Sequence, residues 1–242
     1  MIERIVKQLP APFKNQIKDT IVERYYYYYQ VSKIEFVEKE FSTECGDFSI
    51  YIPDYADNWY ADEHEPKLNS ALSEVFSPET VFYDVGSQFG YHLQFALKCG
   101  VDASNIHSFE ANSMRHSILK RSFASVNLVN RQVGCDTADS LSIDSYAQSH
   151  KQPDVIKIDV EGAEGQVIKG MEDTLRTSEP VVFVEMHPDL LSDFGHDIQD
   201  VYDRLNDAGY GVLVTDHRDS DSEWMDRGTN TDSDTFLLRG TP

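Results

Sequence analysis

The chain has 242 residues, long enough to bury a full core in one domain. Its 21 Lys+Arg against 42 Asp+Glu give a formal charge of -21, which argues against the basic surface that phosphate binding requires, so no nucleic-acid partner is expected. The acidity accompanies 40% hydrophobic and 12% aromatic residues, a globular composition, and so large a charge is best tolerated where salt screens it, an expectation of adaptation to high salt.

Residues 1–40 hold 7 Lys+Arg and 6 Asp+Glu and are nearly neutral, so the negative charge lies in the remainder. "IERIVKQL" and "FKNQIKDTIVERY" place apolar residues at helical spacing, which predicts an N-terminal helical extension over residues 1–40. Packing on the main domain, pairing with a second subunit as a homo-oligomer, and lying on a membrane surface are the three uses open to it. The run from Tyr25 to Tyr29 fits either period and reads as an amphipathic contact surface. "MIERIVKQLP" has no apolar run of signal-peptide length, and no window approaches a membrane span. A soluble, cytoplasmic protein without a transmembrane segment is expected.

Residues 41–79 form a second unit. The stretch "VEKEFSTECGDFSIYIP" is two β-rich runs around Gly46-Asp47, a hairpin pattern, and "EPKLNSALSEVF" reads as a helix leading into the core. Cys45, Cys99 and Cys135 are odd in number and lack CxxC spacing, so they read as small buried hydrophobes rather than a disulfide framework or a thiolate metal site.

The core, residues 80–242, opens with "TVFYDVGSQFGYHLQFALKCG". An apolar run ending at Val85 meets a glycine turn from Gly86 to Gly90 and then a helical pattern from Tyr91 to Lys98. Strand, glycine turn and helix form a nucleotide-binding unit, because glycines admit a ligand close to backbone and the helix start offers unpaired N–H groups. "NIHSFEANS" is a second strand ending in Glu110, 24 residues after Gly86, where such folds place an acid for ribose hydroxyls.

Alternation continues: a helix from Met114 to Ser125, strands "VNLVNRQVG" and "DVIKIDV", helix "GQVIKGMEDTLR", strand "PVVFVEM", helix "IQDVYDRLNDAG", and strands "YGVLVTD" and "DTFLLRG". This predicts an α/β fold with a largely parallel sheet covered by helices on both faces. The last two strands, with no helix between them, are expected to pair antiparallel at one edge.

Ligands bind at the carboxyl ends of parallel strands, and Asp84, Glu110, Asp159, Glu185 and His187 all fall at or just past such ends. The turn reads DxGxxxG rather than GxGxxG, and acids beside it repel a pyrophosphate while suiting a sulfonium and an ammonium. S-adenosylmethionine therefore fits better than NAD.

"VFYDVGSQFGYH", "HSFEANS", "SIDSYA", "DVIKIDVEGAEGQVIKGM" and "PVVFVEMHP", in this order, resemble the FkbM family of S-adenosylmethionine-dependent methyltransferases, over roughly residues 50 to 240. The resemblance implies a class I methyltransferase (Rossmann-like) fold, a seven-stranded sheet in the order 3-2-1-4-5-7-6, and O-methylation of a sugar, glycan or other small-molecule hydroxyl. The chain departs from the family's common DVGANIGY at Ser87 and Gln88, from FEPNP in "FEANS", and at Gly165 in "AEGQVIKG". The rival reading is a non-catalytic member of the fold that binds the cofactor or a partner protein.

Methyl transfer needs an aligned nucleophile and a route for its proton. Asp159 and His187 are the candidates for deprotonation, with Glu185 to orient the histidine or help hold a metal; a capping histidine before Pro188 and a structural acid at Asp159 are the competing readings. Asp84, Gly86, Ser87, Gln88, Gly90, Glu110, Asp136 and Asp159 are the expected cofactor contacts, Asp136 at the adenine or else as a plain turn residue. Trp59, His64, Glu161, His217 and Trp224 are the expected substrate contacts, His217 and Trp224 lying in the polar loop "HRDSDSEWMDRGTNTDSD". His64 with His187 and Asp159 lacks ligand spacing, so no metal is assigned, although a metal-assisted variant of the reaction stays open.

Overall fold

The computed structural model describes residues 35–61, 64–216, 221–226 and 235–242. Most of the expected helical extension, the tyrosine run and His217 lie outside the described residues. Strand β1 (Phe36–Phe41) pairs antiparallel with β2 (Phe48–Pro53), Phe41 opposite Phe48. Gly46 turns the chain between them with a φ of +113°, and its N–H donates to the Thr43 carbonyl at 3.0 Å, a conformation that favours glycine. The expected hairpin is present, but it begins at Phe36, inside the stretch assigned to the helical extension. A 3-10 turn over Asp54–Trp59 leads to α1 (Pro66–Ser73), which has proline at its start.

Cys45 and Cys99 form a disulfide, so the reading of these two as separate buried hydrophobes is corrected. They are 54 residues apart in sequence, and only the packing of the hairpin against the following helical layer brings them together. Cys135 is free.

The core elements follow in order: β3 (Phe82–Val85), α2 (Tyr91–Lys98), β4 (Ile106–Phe109), α3 (Ser113–Ser122), β5 (Asn127–Val129), β6 (Gln132–Val133), β7 (Ser140–Leu141), α4 (Ile143–Ala147) and β8 (Val155–Ile158). Then come α5 (Glu164–Lys169), α6 (Glu172–Thr177), β9 (Val181–Met186), α7 (Pro188–Leu191), α8 (Ile198–Asp207), β10 (Gly211–Thr215), β11 (Met225–Asp226) and β12 (Phe236–Thr241). The main sheet runs β11-β10-β12-β9-β8-β3-β4-β5. Strands β5, β4, β3, β8 and β9 are parallel, and β12 is antiparallel to both β9 and β10. Counted from β3 along the core strands, this is the order 3-2-1-4-5-7-6, with the two-residue β11 added as an eighth strand where seven were expected.

Two expected elements are interrupted. "VNLVNRQVG" is β5 followed by a separate β6, which pairs with β7 in a two-stranded sheet. Asn130 makes the break, its side-chain amide donating to the carbonyls of Glu110 and Ala111. "GQVIKGMEDTLR" is likewise two helices, because α5 ends at Gly170, where any Cβ would lie 2.1 Å from the Gly134 carbonyl oxygen.

Every residue of β3, β4 and β8 is buried, as a parallel sheet covered on both faces demands. Phe82, Val155, Phe183 and Leu237 join the layer containing the hairpin, α1, α2 and α3. Tyr83, Ile156, Val182 and Leu238 join the layer containing α5, α6 and α8. The same alternation directs Asp84 and Lys157, register partners on β3 and β8, to the hairpin side of the sheet.

Candidate active site

Two cavities open side by side beyond the carboxyl ends of β3, β4, β8 and β9, of about 290 Å³ and about 440 Å³. Gly86, Gln88, Asp159 and Glu161 line both, so they form the neck between them. The smaller has apolar walls from Val85, Phe109, Val133, Val160, Ala163 and Phe194, with Glu110 among them. The larger is polar and is bounded by Trp59, Tyr60, His64, Glu65, Tyr91, His92, Lys157, Glu185 and His187.

Glu110 leaves the end of β4 and is anchored at both oxygens. Oε1 accepts the Asn112 backbone N–H at 2.7 Å, and Oε2 accepts that of Gln88 at 2.9 Å. Each carboxylate oxygen keeps acceptor capacity for a hydroxyl donor in the cavity. Burial raises its pKa above the ordinary carboxylate value, opposed by those N–H bonds and by Arg115.

Gly86 has a φ of +87°, and a Cβ there would lie 1.8 Å from the Asp159 carbonyl oxygen. The Gly86 and Ser87 N–H groups both donate to the Phe109 carbonyl, at 2.9 and 3.3 Å, which draws the turn across the strand ends. Gln88 adopts a left-handed φ of +49°, and its side-chain oxygen accepts from the Tyr60 hydroxyl. This departure from the family's common asparagine thus fastens the pre-sheet segment to the glycine turn.

The larger cavity is organised by charge. Lys157 Nζ, buried, is 3.5 Å from Asp84 Oδ1 and 3.3 Å from Asp159 Oδ2. Burial alone would lower the Lys157 pKa, but the surrounding carboxylates, led by Asp159 and Asp84, raise it, so the ammonium is retained. Asp159 is pushed up to about 6 by burial, against the pull of Lys157 and with the help of Glu185 and Glu65. Glu65, in a left-handed conformation at the start of α1, holds His64 Nε2 at 3.2 Å and His92 Nε2 at 3.3 Å. Its pKa lies well below the ordinary value: burial opposes that shift, and the two histidines, His92 foremost, outweigh it.

His187 Nδ1 lies 2.7 Å from Oε1 of Glu164, and its Nε2 lies 3.7 Å from Glu185 Oε1. The Glu164 carboxylate is fully buried and also accepts the Gly162 N–H at 3.0 Å. Burial lowers the His187 pKa, but Glu164 and the neighbouring carboxylates raise it further, leaving it above the ordinary value.

The crevice gathers Asp159, Glu185, His187, Gly86, Ser87, Gln88, Glu110, Trp59, His64 and Glu161. Four expected site residues stand elsewhere. Asp84 is wholly buried beside Lys157 and lines neither cavity, and its charge still helps to raise the Glu110 pKa. Gly90 starts α2, where a Cβ would meet the Phe123 ring at 2.3 Å, and likewise lines neither. Asp136 is exposed, lines neither cavity, and accepts from the Ser142 N–H and from the Ser142 and Ser145 hydroxyls. Trp224 packs half-buried against the core layer that holds the hairpin. Glu164, rather than Glu185, makes the short contact that orients His187.

His92, Lys157 and the Glu164–His187 contact escape the sequence pattern. The lysine alone had a visible signal, a charge inside the apolar run "VIKID".

The model of the methyltransferase FkbM domain matches residues 88–212, over half of the chain. The chain belongs to the FkbM methyltransferase family. Its fold is that of the class I methyltransferases. This FkbM-family chain is similar to a methyltransferase FkbM from Methylobacillus flagellatus, with 18% identity over 68% of this chain and 44% of that one, at a TM-score of 0.48. It spans less than half of that protein's length. It is also similar to an S-adenosylmethionine-dependent O-methyltransferase from Thermotoga maritima, with 13% identity over 86% of this chain and 77% of that one, at a TM-score of 0.46. A third similar structure is a Pyrococcus abyssi tRNA (uracil-54, C5)-methyltransferase in complex with S-adenosyl-L-homocysteine, with 13% identity over 86% of this chain and 44% of that one, at a TM-score of 0.49. No curated protein matches significantly. No helix among the described residues is long and apolar enough to cross a membrane.

Proposed function

We propose that this FkbM-family chain transfers a methyl group from S-adenosylmethionine to a hydroxyl of a sugar, glycan or other small molecule. The observation that carries the reading is the joined pair of cavities. A smaller one, with apolar walls, an anchored acid and Arg115 and Arg131 on its lining, opens through a neck of backbone and carboxylate into a second one rich in carboxylates.

The residues fit the cofactor in three places. The apolar walls around Val133 and Phe194 suit an adenine ring, and Glu110 suits the ribose hydroxyls. Gly86 lines the neck between the cavities, where the lack of a side chain lets the turn close against the Asp159 carbonyl. Asp159 and its carboxylate neighbours favour a ligand carrying a sulfonium and an ammonium, and they disfavour a pyrophosphate. When bound, S-adenosylmethionine supplies an electrophilic methyl carbon whose bonding electrons return to sulfur as the acceptor oxygen attacks.

The chain's own part is to align the acceptor and promote the loss of its proton. Trp59, 48% exposed at the mouth of the larger cavity, offers a face for a sugar ring. His64 and Glu161 stand on the same walls. The Asp159, Glu185 and His187 corner is where the hydroxyl gives up its proton, with Glu164 fixing the imidazole.

The test is production of S-adenosylhomocysteine across a panel of glycosides and small alcohols, compared with Asp159→Asn. Turnover on a hydroxyl acceptor that falls at least 100-fold in the variant supports the reading. Cofactor binding with no turnover on any acceptor, including carboxylic acids and amines, favours the non-catalytic alternative.

A further inference from the structure

The larger cavity ends in a corner where Asp159, Glu185 and His187 each present one ligand atom, all within 4.8 Å of one another. His187 Nε2 and Glu185 Oε1 are 3.7 Å apart. Two ligands each ~2.1 Å from a shared divalent ion stand ~3.0 Å apart when adjacent and ~4.2 Å when opposite. The corner therefore needs only small side-chain movement to close around an ion.

A second observation comes from the other side of the imidazole. His187 Nδ1 is held at 2.7 Å by Glu164, whose carboxylate is fully buried and does not line the cavity. A carboxylate behind Nδ1 fixes the ring and makes Nε2 the outward nitrogen, the outer-shell arrangement of metal-binding histidines. Lys157 engages Asp159 through Oδ2, which leaves Oδ1 as that residue's ligand atom.

We propose that Asp159, Glu185 and His187 bind one divalent cation of the Mn²⁺ class, with Glu164 as the outer-shell partner and the remaining positions open to the cavity. Two carboxylate oxygens and one imidazole suit a hard to borderline ion. The proposal rests on the methyltransferase reading and deepens it, since a hydroxyl bound to the ion loses its proton to water more readily. The resulting alkoxide oxygen donates its electron pair to the methyl carbon, and the carbon–sulfur pair returns to sulfur.

The experiment titrates the chelator-treated full chain with Mn²⁺, following free Mn²⁺ by electron paramagnetic resonance, with S-adenosylmethionine binding measured by calorimetry on the same samples. The expected result is one Mn²⁺ per chain, bound at least 10-fold more weakly by Glu185→Gln and His187→Asn. Glu164→Gln is expected to weaken it 10- to 100-fold. Asp102→Asn, at the opposite end of the sheet, is expected to leave it unchanged. Circular dichroism confirms folding of each variant. Absence of Mn²⁺ binding in the folded wild type, or equal affinity in all variants, overturns the cation site. Cofactor binding alone then leaves the methyltransferase reading standing, whereas Mn²⁺ binding without cofactor binding supports the site and removes that reading.

Discussion

Lys157 Nζ and Asp84 Oδ1 stand 3.5 Å apart between neighbouring strands, both side chains almost wholly buried. The lysine also touches Asp159, so one ammonium compensates a core carboxylate and a cavity carboxylate at once. Removing it leaves buried charge uncompensated, which costs ~3–5 kcal/mol. Lys157→Met is therefore expected to lower the unfolding free energy by about that amount, and adding Asp84→Asn to recover part of it. Urea unfolding of both variants checks this; additive losses would contradict the pairing.

Gly86 and Gly90 differ in what a methyl group would strike. At Gly86 the obstacle is the Asp159 backbone carbonyl, and at Gly90 it is the Phe123 ring with Leu119 behind it. Backbone tied to the strand end, as Asp159 is through its N–H to the Val85 carbonyl at 2.9 Å, yields less than a side chain with room to turn. Gly86→Ala is expected to abolish cofactor binding, and Gly90→Ala to lower thermal stability while retaining binding in the folded fraction. Calorimetry and melting curves on the two variants separate these outcomes.

His107 lies buried in β4 with Nδ1 2.9 Å from the Tyr146 hydroxyl. Burial, helped by His150 and Lys151, pulls its pKa from 6.5 down to about 4. Between those values the unfolded chain binds a proton that the folded chain refuses. The neutral imidazole's contribution is thus fully present above pH 6.5 and is lost as pH falls toward about 4. His107→Gln is expected to flatten that limb of the stability profile, measured by urea midpoint against pH; parallel profiles would contradict the assignment.

The Cys45–Cys99 bridge closes a loop of 54 residues that includes the segment carrying Trp59, Tyr60, His64 and Glu65. Crosslinks of this kind contribute ~2–4 kcal/mol. A reductant is expected to lower the melting temperature of the wild type and to leave the Cys45→Ser/Cys99→Ser double variant unmoved.

The strand–turn–helix opening, the parallel core and the antiparallel edge follow from apolar runs and glycine placement that any reader of "VFYDVGSQFGYH" can see. Helix α2 starts and ends at Tyr91 and Lys98, as its periodicity predicts. Gly170 and Asn130 were harder, because each breaks its element for a neighbour that is distant along the chain. The same reason hides the disulfide and the Glu65 link to His64 and His92. Asp84 misleads in a different way: it occupies the motif position, yet strand alternation turns it inward to Lys157. Glu164 reads as an acid at a helix start, and only its burial beside His187 shows its other partner.

The most direct test of the central claim is calorimetric titration of the full chain with S-adenosylmethionine and, separately, NAD in molar salt, on the wild type and Glu110→Ala. Losing hydrogen bonds to a charged acceptor costs ~1.5–3 kcal/mol, about 10- to 150-fold in affinity. The expected result is one S-adenosylmethionine per wild-type chain, weakened by that factor in the variant, with no NAD binding. Binding of NAD instead, or S-adenosylmethionine affinity unchanged in a folded Glu110→Ala, would contradict the account.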